Sequence, residues 1–305
     1  MRESHEAAAL PVTEAEHPAC PPLDRMGALE LVRLLAEEER RSPAAVAAAA
    51  EQIAAIAELA AAALTAGGAL VLCGAGTSGR LALAEAAECP PTFGSAPEQV
   101  RAIMAGGPAA MVRAVEGAED DASAGARAVA AERLGSLDVL VGISASGGAP
   151  FVRGALAEAR RRGARTALLT CNPALAAERP PPAEVVAVLA VGPEVLAGST
   201  RLKGGTATKI ALNAITTAAF ALAGKVYGDL MVDLQASNAK LRARARRLVM
   251  RLGGVEAARA EELLAQADWR VKEAVVMARR GLGAEQAREV LAAVQGRLRQ
   301  ALEGS

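Results

Sequence analysis

Histidine is nearly absent from this chain. His5 and His17 are the only two in 305 residues, and both fall in the first twenty. Imidazole catalysis and a His-ligated metal are therefore not expected. Acid/base work would fall to carboxylates, lysine or tyrosine. Aromatic residues amount to 2%, which argues against a base-stacking surface for nucleic acid. The four cysteines, Cys20, Cys73, Cys89 and Cys171, are scattered without a C-x-x-C pair, so neither a zinc centre nor a disulfide framework is suggested. No charge excess exists: Lys+Arg and Asp+Glu are both 34, and no polyanion partner is implied. No segment is long and apolar enough to span a membrane. The Ala-rich run 44–63 is broken by Glu51, Gln52 and Glu58, and the first residues carry no apolar signal region. The expectation is a cytoplasmic protein with no membrane and no nucleic-acid partner. At 52% hydrophobic, its core can be large, built from Ala, Val and Leu.

What the chain does have is a Gly-rich loop, Gly74-Ala-Gly-Thr-Ser-Gly-Arg80, between the apolar run 69–73 and a helical pattern from Leu81 to Glu88. A strand feeding such a turn and then a helix N-terminus makes an anion site from free amides and the helix dipole. The backbone of Gly76 and Gly79 and the hydroxyls of Thr77 and Ser78 would bind phosphate. Gly74, Gly76 and Gly79 also match the dinucleotide fingerprint. That fingerprint wants an acid at the far end of the next strand, and Glu98 instead precedes the run 100–104. A phosphomonoester fits the hydroxyl-rich loop better; a tight turn without ligand is the plain alternative. A second loop, Ser144-Ala-Ser-Gly-Gly-Ala149, follows the run 138–143 and repeats the same logic. N-capping alone would need one hydroxyl, and both loops have two. Joint phosphate binding by Ser144, Ser146 and Gly147 with the first loop is the favoured reading.

Strands are expected at 69–73, 99–104, 137–143, 165–170 and 184–191, with helices near 79–88, 107–114, 122–134 and 150–162. This alternation predicts an α/β fold, a doubly wound parallel five-stranded sheet covered on both faces. Ligands bind at the carboxyl ends of such strands. Residues 1–25, rich in proline, read as an N-terminal arm. Residues 26–240 read as the main domain, with N-terminal helices 29–39 and 44–65 joined at an N-capping Ser42-Pro43. Residues 241–305 read as a small helical appendage of three or four helices. A long helix spans 199–223, with Ser199 or Thr200 as its N-cap. Arg201 and Lys203 would then stand in its first turn, where cations are disfavoured unless an anion is near; solvated side chains are the equal alternative.

Glu85 and Glu88 lie three apart on the first post-loop helix and can share a face. Cys89-Pro-Pro91 is expected to end that helix, which would set Glu88 at its negative end and favour the protonated form, as suits a general acid. The acidic turn 116–121 precedes a helix, and Asp120 and Asp121 read as caps.

Several of these motifs resemble the N-acetylmuramic acid 6-phosphate etherases. They include Gly74-Ala-Gly-Thr-Ser-Gly-Arg-Leu81, Ala87-Glu-Cys-Pro-Pro-Thr-Phe-Gly94, Ala114-Val-Glu-Gly-Ala-Glu-Asp-Asp121, Val191-Gly-Pro-Glu-Val-Leu196, Gly198-Ser-Thr-Arg201, Gly224-Lys-Val-Tyr-Gly228, Leu230-Met-Val-Asp233 and Asn238-Ala-Lys-Leu241. The similarity runs from about Thr13 to Leu302. It implies the sugar-isomerase (SIS) fold, shared with the more distant glucokinase regulatory proteins, a ubiquitin-associated-like C-terminal appendage, and a homodimer. The Ala-rich N-terminal helices would offer that dimer an apolar surface. The implied reaction is removal of the D-lactyl ether from C3 by syn-type elimination and then hydration. N-acetylglucosamine 6-phosphate and D-lactate would result, in peptidoglycan recycling. No metal and no cofactor are implied. By motif, Glu88 matches the family's acid/base glutamate and Glu119 its second catalytic glutamate. Gly76, Thr77, Ser78, Gly79, Ser144, Ser146, Gly147, Glu194, Ser199, Arg201 and Lys203 complete the expected substrate site. The family usually has Asp at position 85 and Ala-Ala-Ser-Gly-Arg-Thr-Pro in the second loop; Ser144 would here replace the missing threonine hydroxyl. The alternatives are a non-catalytic sugar-phosphate sensor on the same fold, and an aldose–ketose isomerase, whose relatives commonly use a histidine.

Overall fold

The computed structural model describes residues 11–234, 236 and 238–304. His5 and the first ten residues of the expected arm lie outside them. Turns and a short 3-10 helix at Leu23–Arg25 make up the rest of that arm.

Three helices follow: α1 (Ala28–Glu39), α2 (Arg41–Ala48) and α3 (Ala50–Thr65). The α/β alternation then runs β1 (Leu70–Gly74), α4 (Gly76–Phe93), β2 (Val100–Met104), α5 (Ala109–Val112), α6 (Ala122–Ala131), β3 (Val139–Ile143), α7 (Pro150–Arg161), β4 (Arg165–Thr170) and β5 (Val185–Val188). The long helix α8 (Lys203–Leu222) comes next. A two-strand ribbon, β6 (Val226–Tyr227) and β7 (Leu230–Met231), leads to α9 (Ala239–Gly253), α10 (Ala257–Gln266), α11 (Val271–Arg280), α12 (Ala284–Ala293) and α13 (Leu298–Glu303).

The five long strands form one parallel sheet in the order β2-β1-β3-β4-β5. Side-chain alternation splits its two faces. Leu70, Leu72, Val139 and Val141 pack under α3, α4 and α8, whereas Val71, Cys73 and Leu140 pack under α6 and α7. The expected α/β doubly wound architecture is what forms. The order reverses at β1 and β3, where a crevice opens at the strands' carboxyl ends. Both hydroxyl-rich loops lie there. A third hydrophobic cluster belongs to the C-terminal helices, centred on Val249, Leu264, Val275 and Leu298.

Several local expectations are corrected. The Ala-rich segment is two helices, broken at Ala49, with Ile53, Ile56, Ala57 and Ala60 buried in the core, while Leu29 and Val32 of α1 are exposed. Ser42 is no N-cap: it is buried inside α2, its hydroxyl 3.1 Å from the Glu39 carboxylate and the Lys203 carbonyl. Pro90 and Pro91 do not end α4. The helix continues to Phe93, whose ring stacks on Phe220 of α8 at 4.5 Å, and stops at Gly94 in the left-handed region at φ 61°. The appendage has five helices, and α9 already begins at Ala239. No single helix among the described residues is long and apolar enough to cross a membrane.

Candidate functional site

The first loop is short because α4 begins at once. Gly76 holds φ 52°, a conformation a side chain would strain, and opens the helix. Gly79 serves packing rather than ligand. A Cβ there would come within 2.7 Å of the Met104 side chain and 2.8 Å of the Gly74 carbonyl oxygen. The first amides of α4 have no carbonyl ahead of them within the helix. They face a cavity of about 300 Å³ lined by Gly76, Thr77, Ser78, Ser144, Ser146 and Glu119, together with Thr13, Thr200 and Gly204.

The second loop presents its hydroxyls by folding on itself. Gly147, at φ 70°, donates its amide to Ser144 Oγ at 3.1 Å, and Gly148 donates to Ser146 Oγ at 3.2 Å. Each serine thereby accepts one bond and keeps its own proton to donate. Gly147 shapes the loop and is not itself a wall of the cavity. Asn172 at the end of β4 donates to the Ser146 carbonyl at 3.0 Å and fixes the loop from behind.

Glu119 sits in the 3-10 turn Ala118–Asp120, exposed, at the edge of the cavity. Asp121 is the N-cap of α6, accepting from the Ala124 amide at 2.8 Å. The helix after Glu119, α6, packs closely across α7. A Cβ on Gly125 would lie 2.0 Å from the Phe151 carbonyl oxygen, and one on Gly154 2.0 Å from that of Ala122.

The remaining predicted residues are not gathered into the cavity. α8 begins at Lys203, and neither Ser199 nor Thr200 caps it. The cap comes from Glu194, which is buried and accepts from the amides of Lys203 at 3.3 Å and Gly204 at 2.9 Å. Burial pushes the Glu194 carboxyl upward, against the two amides that favour its charge. Lys203 is also buried, with its ammonium donating to Glu38 at 2.6 Å and to the Pro193 carbonyl at 2.7 Å. Burial raises the Glu38 carboxyl, but Lys203, Arg41 and His17 outweigh this and hold it below its ordinary range. Glu194 and Lys203 thus face each other's surroundings, not the cavity. Ser199 is half-buried and Arg201 exposed, and neither lines it.

Glu88 is exposed on α4. It stands roughly 18 Å along the helix from Gly76 at about 1.5 Å per residue. One turn earlier, Glu85 is buried, paired with Lys209 of α8 and accepting from the Thr216 hydroxyl at 2.6 Å. The two glutamates therefore differ in environment despite their spacing. Burial pushes Cys73, Cys89 and Cys171 up to about 12, which leaves these three thiols unreactive. Among the described residues no group of three or more His, Cys, Asp or Glu is placed to hold a metal ion.

Sequence reasoning missed Thr13, Thr200, Gly204, Gly205 and Thr208 as cavity walls. Thr200 and Gly204 carried a signal, being small residues at the start of the long helix; Thr13, in a proline-rich arm, carried none.

A family model described as the glucokinase regulatory protein N-terminal SIS domain matches residues 51–160. The chain is 47% identical over 295 residues to the N-acetylmuramic acid 6-phosphate etherase of Erwinia tasmaniensis, covering 96% of this chain and 95% of that protein. It is 46% identical over 294 residues to the protein of the same name from Synechocystis sp., covering 96% of each. Among solved structures it is similar to phosphoheptose isomerase GmhA from Neisseria gonorrhoeae, with 21% identity over 62% of this chain and 96% of that one and a TM-score of 0.45.

Proposed function

The chain belongs to the N-acetylmuramic acid 6-phosphate etherase family, and from that membership we propose how its cavity carries out the reaction. The enzyme cleaves the D-lactyl ether of N-acetylmuramic acid 6-phosphate to N-acetylglucosamine 6-phosphate and D-lactate, a step of amino-sugar metabolism that serves peptidoglycan recycling. The observation that carries the reading is the open N-terminus of α4, with Thr77 and Ser78 facing Ser144 and Ser146 across a cavity edged by Glu119. The phosphate rests on the α4 amides and these hydroxyls. In the open-chain sugar the aldehyde acidifies C2–H. Glu119 takes that proton, and the electron pair forms the C2=C3 bond as the C3–O bond breaks. Glu88 delivers a proton to the departing lactate oxygen. Its carboxylate then activates water, which adds to C3, while C2 regains a proton. No metal or redox cofactor enters the scheme.

Glu88 of the same chain lies beyond reach of C3 in a sugar whose phosphate is on its own α4. We infer that a second copy delivers it, so the working unit is a homodimer. Exposed Met111, Val112 and Val115, beside Glu119, support an apolar contact at the mouth of the site. The cysteines, all free, accord with a cytoplasmic setting.

Four measurements test this. Glu88→Gln and Glu119→Gln should each lower lactate release about 10²–10⁴-fold. In D₂O, Glu88→Gln should still exchange the C2 proton and Glu119→Gln should not; the reverse pattern swaps the roles. Mixing the two variants should restore about a quarter of wild-type activity, because half of the dimers are mixed and each holds one intact site. No recovery, after subunit exchange is demonstrated, would place both glutamates of a site on one chain. Sugar-phosphate binding without lactate release by the unaltered protein would make it a sensor.

A further inference from the structure

We propose that Thr13, carried in from the N-terminal arm, is a ligand-contacting residue that holds a hydroxyl of the bound sugar. Thr13 is 4% exposed and lines the same cavity as the phosphate loops. Its Oγ1 is buried with no hydrogen-bond partner among the described residues. Such a hydroxyl is uncommon in a folded protein, because an unsatisfied buried polar group is destabilising. Threonine has three staggered χ1 wells, and a change between them is the route by which this hydroxyl would meet a ligand in the cavity. A ligand there would supply the partner that the protein does not.

The arm is held in place over the site. His17 Nε2 lies 3.1 Å from Glu38, which binds Lys203 at the head of α8. The Ala19 amide donates to His17 Nδ1 at 3.3 Å, so Nε2 carries the proton given to Glu38. Cys20 Sγ contacts the Val195 carbonyl at 3.4 Å. These ties fix residues 13–20 against the loop that leads into α8.

Neighbouring charge says which part of the ligand Thr13 meets. Glu14 lines the same cavity, and a Cβ on Gly198 would lie 3.2 Å from its carboxylate. An ionised carboxylate repels phosphate and the lactyl carboxylate but accepts bonds from hydroxyls. The Thr13–Glu14 pair therefore faces the neutral polyol, with the phosphate at the opposite wall on α4. This rests on the sugar-phosphate reading of the cavity.

The test compares the full chain with Thr13→Val, a change of nearly equal shape. N-acetylglucosamine 6-phosphate should bind about threefold to tenfold more weakly, the worth of one neutral hydrogen bond. Inorganic phosphate, which does not reach the arm, should bind equally to both. KM for lactate release should rise with kcat unchanged, and the melting temperature of the free protein should not fall. Equal sugar-phosphate binding by both proteins, in a wild type that releases lactate, overturns the proposal and leaves the activity intact. Equal losses for inorganic phosphate and sugar phosphate also overturn it, pointing to a displaced phosphate loop. Weaker sugar-phosphate binding in the variant of a wild type that releases no lactate keeps the contact and removes the etherase reading. A wild type that binds neither ligand removes both.

Discussion

Two long helices, α4 and α8, begin beside the same cavity, and their N-termini have opposite fates. At α4 the first turn is Gly-Thr-Ser, with no carboxylate in it, and Thr77 and Ser78 face open space. At α8 the buried carboxylate of Glu194 already takes the amides of Lys203 and Gly204. Both ends carry the same partial positive charge. One is left open to the cavity and the other is satisfied from within. A helix N-terminus is thus an anion site only when the chain withholds its own acid. Gly204, Gly205 and Thr208 still form part of the wall, but the helix start left without a carboxylate cap is that of α4.

The sharpest way to break this contrast is to unplug α8. Glu194→Ala leaves two buried amides without acceptors and should cost about 2–6 kcal/mol of stability, at about 1–3 kcal/mol per group. Glu194→Gln, which keeps an acceptor oxygen, should cost less. Denaturant titration reads both, and an unchanged midpoint for Glu194→Ala would mean that water serves those amides. At α4 the same experiment should act on binding instead. Ser78→Ala with Ser146→Ala removes two neutral hydroxyls worth about 0.5–1.5 kcal/mol each. KM should rise about tenfold with little loss of stability, and a KM that stays put would move the phosphate elsewhere. The smallest effect concerns pH. Glu38 has its folded-state pKa depressed by Lys203, Arg41 and His17 against the opposing effect of burial. Its contribution is therefore present above the ordinary glutamate value of about 4.3 and is lost as pH falls through the lower folded value. Stability measured from pH 6 downward should drop more gently in Glu38→Gln than in wild type; parallel curves would show that the Lys203 pair adds nothing.

The sheet and the two glycine- and hydroxyl-rich loops at its carboxyl edge were legible because they depend on local signals: apolar runs, glycines and hydroxyls in sequence order. The errors share one origin, which is tertiary contact. Prolines at 90 and 91 look like a stop, yet the stacking of Phe93 on Phe220 holds the last turn of α4, and Gly94 is where it ends. Ser199 and Thr200 look like caps, but Glu194 reaches the amides first. Lys203 reads as a phosphate ligand until Glu38, far away in sequence, is found beside it. The separation of Glu88 from the start of α4, roughly 18 Å along the helix, is likewise not something its motif reveals.

The crossing of α6 and α7 shows where the location of Glu119 is recorded. Gly125 and Gly154 each rest against a carbonyl oxygen of the other helix, with no room for even one carbon between them. That contact sets how near α6 lies to α7, and Glu119 sits in the turn immediately before α6. The address of an acidic side chain at the cavity rim is written in two residues that have no side chain. A survey confined to functional groups would pass over both.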